Sequence, residues 1–126
     1  MSAFGKVHYD DLEWISGEEL SGLPAGIQCA IVRPDSGDGQ MALYVRFPAG
    51  YVEPYHEHEM EHWGVVVEGE MHVDGQVLGP GDFHHGPSGL GHGPLSYPKG
   101  VTIFTTTRGG SPLHRYDGSE AGEVRE

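Results

Sequence analysis

Four histidines, His56, His58, His62 and His92, are the residues whose type and spacing offer chemistry. Strand side chains alternate, so His56 and His58 project from one face if their segment is extended. His62 opens the next apolar run. His92 lies near the end of a Gly-rich loop, Pro87 to Gly93, where the backbone can turn sharply. An i, i+2 histidine pair joined by a third on the adjoining strand can converge on one ion through bonds of about 2.0–2.1 Å. A lone histidine, or a lone His-x-His pair, reads as solvated side chains on an acidic surface. Four at matching spacing in a β-rich chain read as a site for one divalent transition metal. Imidazole suits Zn, Cu, Fe and Ni, and affinity order places Mn and Fe below Cu and Zn, so the donors leave the metal open among Fe, Mn, Zn, Cu and Ni.

Other side chains near these four have two readings each. His84 and His85 sit between Gly81 and Pro87. If Phe83 points into the interior, His85 does too and His84 does not. His85 is then the candidate catalytic acid/base, because an unperturbed imidazole titrates near neutrality. Otherwise the two are a surface pair. Glu57, Glu59 and Glu61 interleave with the histidines. They could orient imidazoles, but alternation turns them toward solvent. Arg46 could hold a substrate carboxylate, yet it faces away if Met41, Leu43, Val45 and Phe47 face the core. Cys29 lies in an apolar run and reads as a small buried hydrophobe.

The elements that must position these residues are short strands. Ile27 to Arg33 is apolar and β-branched, and Met41 to Phe47 alternates. His62 to Glu68 contains Val65-Val66-Val67, and Val101 to Thr107 is β-branched almost throughout. Asp74-Gly75, between Met71–Val73 and Gln76–Leu78, is the strongest hairpin signal. Ser16 with Glu19 fits a capping box at the start of one helical turn. The whole gives about eight strands at intervals of roughly 8–12 residues, the spacing of a sandwich or barrel. Residues 1–24 read as an N-terminal arm with an edge strand, 25–108 as the barrel core, and 109–126 as a loose acidic tail.

The chain of 126 residues fits one domain. Its 21 glycines and 9 prolines punctuate apolar runs rather than clustering. Acidic residues outnumber basic ones 19 to 7, for a formal charge of −12, which opposes nucleic-acid and anionic-membrane partners. One cysteine excludes an internal disulfide framework and a cysteine-built zinc site. No stretch has the roughly 20 apolar residues of a membrane span, and the N-terminus lacks a signal-peptide pattern. The expected setting is cytoplasmic.

The spacing of these residues resembles the cupin superfamily. Gly50, five residues, His56-x-His58, three residues, His62, six residues and Gly69 match its first motif. Gly81, five residues, Pro87-x-Gly89, two residues, His92, three residues and Ser96 match its second. His62 stands where the motif usually carries glutamate, and Ser96 where it carries asparagine. A carboxylate would cancel one of the ion's positive charges and an imidazole cancels none, so the all-histidine site is the stronger Lewis acid. It also holds the lower oxidation state of a redox metal more firmly. The resemblance implies an all-β fold, a cupin-type antiparallel β-barrel or jelly-roll sandwich. It implies metal ligation by His56, His58, His62 and His92, and a homodimer. It further implies a small-molecule substrate and an oxygenase that brings O2 beside a chelating organic molecule. A non-redox Lewis-acid isomerase, cyclase or lyase is the second reading, and a non-catalytic ligand-binding cupin the third.

Overall fold

The computed structural model describes residues 5–34, 37–54, 56–57, 61–87, 91–108 and 123–124. In chain order the first strands are β1 (Ile15–Ser16), β2 (Gln28–Arg33), β3 (Met41–Phe47), β4 (Tyr51–Glu53) and β5 (His56–Glu57). Next come β6 (Glu61–Gly69), β7 (Met71–Val73), β8 (Gln76–Leu78) and β9 (Phe83–Gly86). The last are β10 (Gly91–His92), β11 (Leu95–Tyr97), β12 (Val101–Arg108) and β13 (Glu123–Val124). One short helix, α1 (Gly17–Ser21), follows β1 and ends at Gly22, whose left-handed φ of 72° lets its N–H reach Glu18 O. Ser16 makes no side-chain cap bond. The Gly17 N–H is taken instead by Ile27 O at 2.8 Å.

Two antiparallel sheets face each other, as an all-β jelly roll requires. One has the order β1-β2-β3-β12-β6-β9 and the other β13-β4-β11-β7-β8. The chain passes repeatedly from one sheet to the other, so neighbouring strands are mostly distant in sequence. Alternation on β3 buries Met41 and Leu43 while Arg46 lies on the outer face. There Arg46 covers Trp14 at 3.9 Å and donates to Tyr9 Oη and Thr102 Oγ1, each at 3.1 Å. The Asp74-Gly75 hairpin forms with φ of 51° and 76°, the doubly positive turn that suits strand twist.

The core lies between the sheets and includes Leu23, Ile27, Cys29, Val66, Met71, Leu95, Val101 and Ile103. At one end Phe47 stacks on Tyr97 at 4.6 Å and tilts against Tyr51 at 5.2 Å, tying β3 to β4 and β11. The tail expected to be loose throughout supplies β13, which pairs with β4 through Glu123↔Val52 and Val124↔Tyr51. Edge pairing needs only backbone donors and acceptors, so an acidic sequence can supply it. Among the described residues no helix is long and apolar enough to cross a membrane.

Candidate functional site

Two ladders place the site. The first runs β4 against β11, pairing Glu53 with Leu95. The short β5–β10 ladder continues it in the same register, pairing His56 with His92 and Glu57 with Gly91. Pro54 and Pro94 fall in the break between the two, and neither has an N–H to give. His56 and His92, drawn from the two separate motifs, are therefore directly opposed on one antiparallel ladder. His58 lies outside the described residues, and among those described no three His, Cys, Asp or Glu residues gather as an ion-holding group.

The second ladder is β6 against β9, in the other sheet. It pairs His62 with Gly86 and Gly64 with His84. All four residues share the inner face, and each imidazole lies over the glycine of the facing strand. A Cβ on Gly86 would collide with the His62 ring, and one on Gly64 would sit 2.6 Å from His84 Nε2. The glycines thus create room for both rings, whose centroids are 6.2 Å apart. On the far side, β12 sets Thr107 opposite His62 and Thr105 opposite Gly64. Thr105 Oγ1 donates to Trp63 O at 2.9 Å. Thr107 Oγ1 and His84 Nε2 are buried with no hydrogen-bond partner among the described residues. Burial pushes the His84 imidazole below its ordinary pKa by disfavouring its charged form.

These groups border a cavity of about 390 Å³ between the sheets, within the size range of small-molecule sites. Its wall is largely apolar, including Leu23, Ile27, Leu43, Val45 and Ile103, with His62 and His84 on one side and Glu53 on the other. Glu53 is only 9% exposed. Tyr97 Oη donates to its Oε1 at 2.6 Å. Sequence reasoning missed Glu53, although the i, i+2 relation to Tyr51 on a strand was there to place both on one face.

The condition for an inward-facing His85 is not met. Phe83 does not enter the barrel; it is 63% exposed. Because β9 pairs with β6 through its glycine, parity sends His84 inward and His85 outward. His85 borders the cavity, but its Nε2 is 2.7 Å from Glu61 Oε2 and its ring stacks on Trp63 at 5.5 Å. The same parity puts Glu61 on the outer face. Glu59 lies outside the described residues, and Glu57 is placed by its backbone alone.

The donor set fits a transition metal. Two histidines oppose each other on one ladder, a third is seated in a recess that only glycine leaves open, and the half-buried His84 beside it has a buried nitrogen with no hydrogen-bond partner among the described residues.

Comparison with known proteins agrees with this architecture. No curated protein matches the chain. Among solved structures, KdgF from Halomonas sp. is 28% identical with a TM-score of 0.58, over 80% of this chain and 92% of that one. An acetylacetone dioxygenase from Acinetobacter johnsonii is 18% identical with a TM-score of 0.65, over 100% of this chain and 84% of that one. A structure of Rhodobacter sphaeroides SigE in complex with the anti-sigma ChrR is 22% identical with a TM-score of 0.59. That likeness takes in 79% of this chain and 51% of the other. The sequence model of the ChrR cupin-like domain matches residues 4–110. With the match extending over most of its length, and a two-sheet barrel to suit, the chain belongs to the ChrR cupin-like domain family.

Proposed function

We propose that this cupin holds one divalent transition metal through His56, His58, His62 and His92 and acts, as an oxygenase, on a small chelating organic molecule in the barrel cavity. The observations that carry the reading are the His56↔His92 register pair, which brings the two motifs together, and the cavity between the sheets that His62 lines. Bound there, the ion would supply Lewis acidity and, if it is iron, copper or manganese, one-electron redox capacity toward O2. The chain's own residues do the rest. Leu43, Val45 and Ile103 exclude water from the substrate's apolar part. Gly86 leaves the recess that fixes the His62 ring. Glu53, steadied by the Tyr97 hydroxyl, is the cavity carboxyl able to take a proton from an acidic C–H or O–H of the substrate. A homodimer in the cytoplasm belongs to the same reading.

The test is metal analysis of freshly purified protein, followed by addition of acetylacetone as a chelating probe under air and under nitrogen. Retained iron, copper or manganese, with a charge-transfer band on adding the probe and O2 uptake under air, is the expected result. Zinc with oxygen-independent turnover of a carbonyl substrate would select the Lewis-acid enzyme instead. Protein that keeps no metal after dialysis at neutral pH would overturn both.

A second reading has its own support in the family itself. The matching family takes its description from ChrR, and a similar structure holds an anti-sigma protein with its partner. On that reading the metal and cavity serve sensing, and ligand binding changes association with a protein rather than producing turnover. Metal retention with probe binding, but no O2 uptake or product, selects it.

A further inference from the structure

We propose that His84 is a further metal-ligating residue, an imidazole of the barrel wall that shares the ion with His62. This inference rests on the metal reading above and adds a residue that stands at no specified position of either histidine motif.

Three observations carry it. First, the strands treat His62 and His84 as a matched pair. Each faces a glycine across the β6–β9 ladder, and the two glycines, Gly86 and Gly64, are the residues whose side chains would displace the rings. Second, His84 Nε2 is buried without a hydrogen-bond partner among the described residues. Buried polar atoms are seldom left so, and coordination to an ion would satisfy this nitrogen. Third, the ring centroids are 6.2 Å apart. Two imidazoles with bonds of about 2.0–2.1 Å have centroids roughly 6.4 Å apart when they bind one ion from opposite sides, and roughly 5 Å or less in a tetrahedral or cis arrangement. The observed separation matches a nearly opposed pair, and a bent arrangement requires the two side chains to rotate about 1 Å or more toward each other. His85, by contrast, is committed to Glu61 and Trp63 on the outer face.

The experiment titrates metal-free full-length protein with Co²⁺, reading the visible absorption bands, and with Cu²⁺, reading nitrogen hyperfine splitting. His84→Gly is compared with wild type and with His92→Ala. Weaker Co²⁺ binding by at least about 10-fold is expected for His84→Gly. Its spectrum should also change, and added imidazole should restore both affinity and spectrum. Imidazole rescue would not follow from a packing role. A His84→Gly protein that titrates like wild type with an unchanged spectrum, while His92→Ala loses binding, overturns the inference and leaves the metal reading standing. Weakened binding that imidazole does not restore, with an unaltered spectrum, also overturns it. If wild type takes up no Co²⁺, the metal reading falls and this inference with it. Should His84→Gly fold poorly, His84→Gln carries the test, with altered bands expected and unaltered bands overturning.

Discussion

His84 and His85 are neighbours in the chain, yet they stand on opposite faces of β9, and the two faces treat titratable groups in opposite ways. On the inner face burial disfavours the charged forms of titratable groups. It pushes the His84 imidazole below its ordinary pKa and the Cys29 thiol up to about 11. On the outer surface partners hold groups charged. Hydrogen bonds from Lys99 and then His72 keep the Glu70 carboxyl below the usual range, and Glu70 in turn raises Lys99. Arg33 does the same for Asp38. His85 sits on that side, against Glu61 and Trp63. A single step along the strand thus separates an imidazole that faces a largely apolar cavity from one that packs on the surface.

The sharpest way to break this division is to fill the inner recess. A Cβ at Gly86 collides with the His62 ring, and one at Gly64 meets the His84 ring at 2.6 Å and Phe104 O at 3.0 Å. Overfilling a packed interior costs roughly 1–3 kcal/mol. For a domain of this size that is a fall of order 5–10 °C in Tm. Gly86→Ala is therefore expected to melt clearly lower than wild type and to lose metal, with thermal melts and metal analysis as the measurements. An unchanged melt would mean that His62 does not occupy the recess over Gly86.

Next in size is the dyad on the opposite wall. Tyr97→Phe removes the hydroxyl that donates to Glu53 Oε1 at 2.6 Å and leaves a buried carboxyl short of a donor. Such a loss costs roughly 1–3 kcal/mol. Turnover or probe binding should fall in Tyr97→Phe while metal content stays near wild type, because neither residue belongs to the proposed ligand set. Glu53→Gln keeps the shape and removes the charge. If it behaves as wild type in every assay, Glu53 is a packing residue.

How much of this was legible in the sequence differs from strand to strand. Met41–Phe47 alternates cleanly, so its buried face could be read, and Leu43 is fully buried. Asp74-Gly75 carries its own turn geometry, and the hairpin followed. β9 gave no such guidance. Its residues, Phe-His-His-Gly, have no apolar alternation, and its only large apolar side chain points outward. The face of His84 is decided by a partner strand, through glycines whose significance appears only when the register is known. Glu53 was hidden for the opposite reason, since a carboxylate facing inward contradicts the pattern that identifies a core. The two histidine motifs are brought side by side in the backbone ladder that pairs His56 with His92.

A finer test of the inner face uses Cys29, which is 0% exposed. Its folded pKa of about 11 lies above the ordinary value of 9.0. Between those values the folded chain keeps a proton that the unfolded chain releases. Stability from this group is therefore complete below the ordinary value and falls as pH rises through the window, by up to about 1.4 kcal/mol per pH unit. Wild type should lose Tm more steeply than Cys29→Ala on going from neutral to strongly alkaline buffer. At pH 8 the native thiol should resist iodoacetamide and react once the chain is unfolded. Equal alkaline slopes for the two proteins, or rapid native labelling, would show that this wall is open to water.

The smallest effect is expected on the outer face, and its smallness is the informative part. His85 and Glu61 form a partly exposed pair with Nε2–Oε2 of 2.7 Å, side chains 37% and 31% accessible. Pairs of that kind contribute roughly 0–1 kcal/mol, since water screens them and two side chains must be held still. His85→Ala also uncovers one face of Trp63, so a change in tryptophan fluorescence is expected together with a small loss in Tm. Metal content and the Co²⁺ spectrum should not move, because parity keeps this ring away from His62. If His85→Ala strips the metal while His84→Gln does not, the two faces of β9 have been assigned the wrong way round. The outer imidazole would then be the one that serves the site.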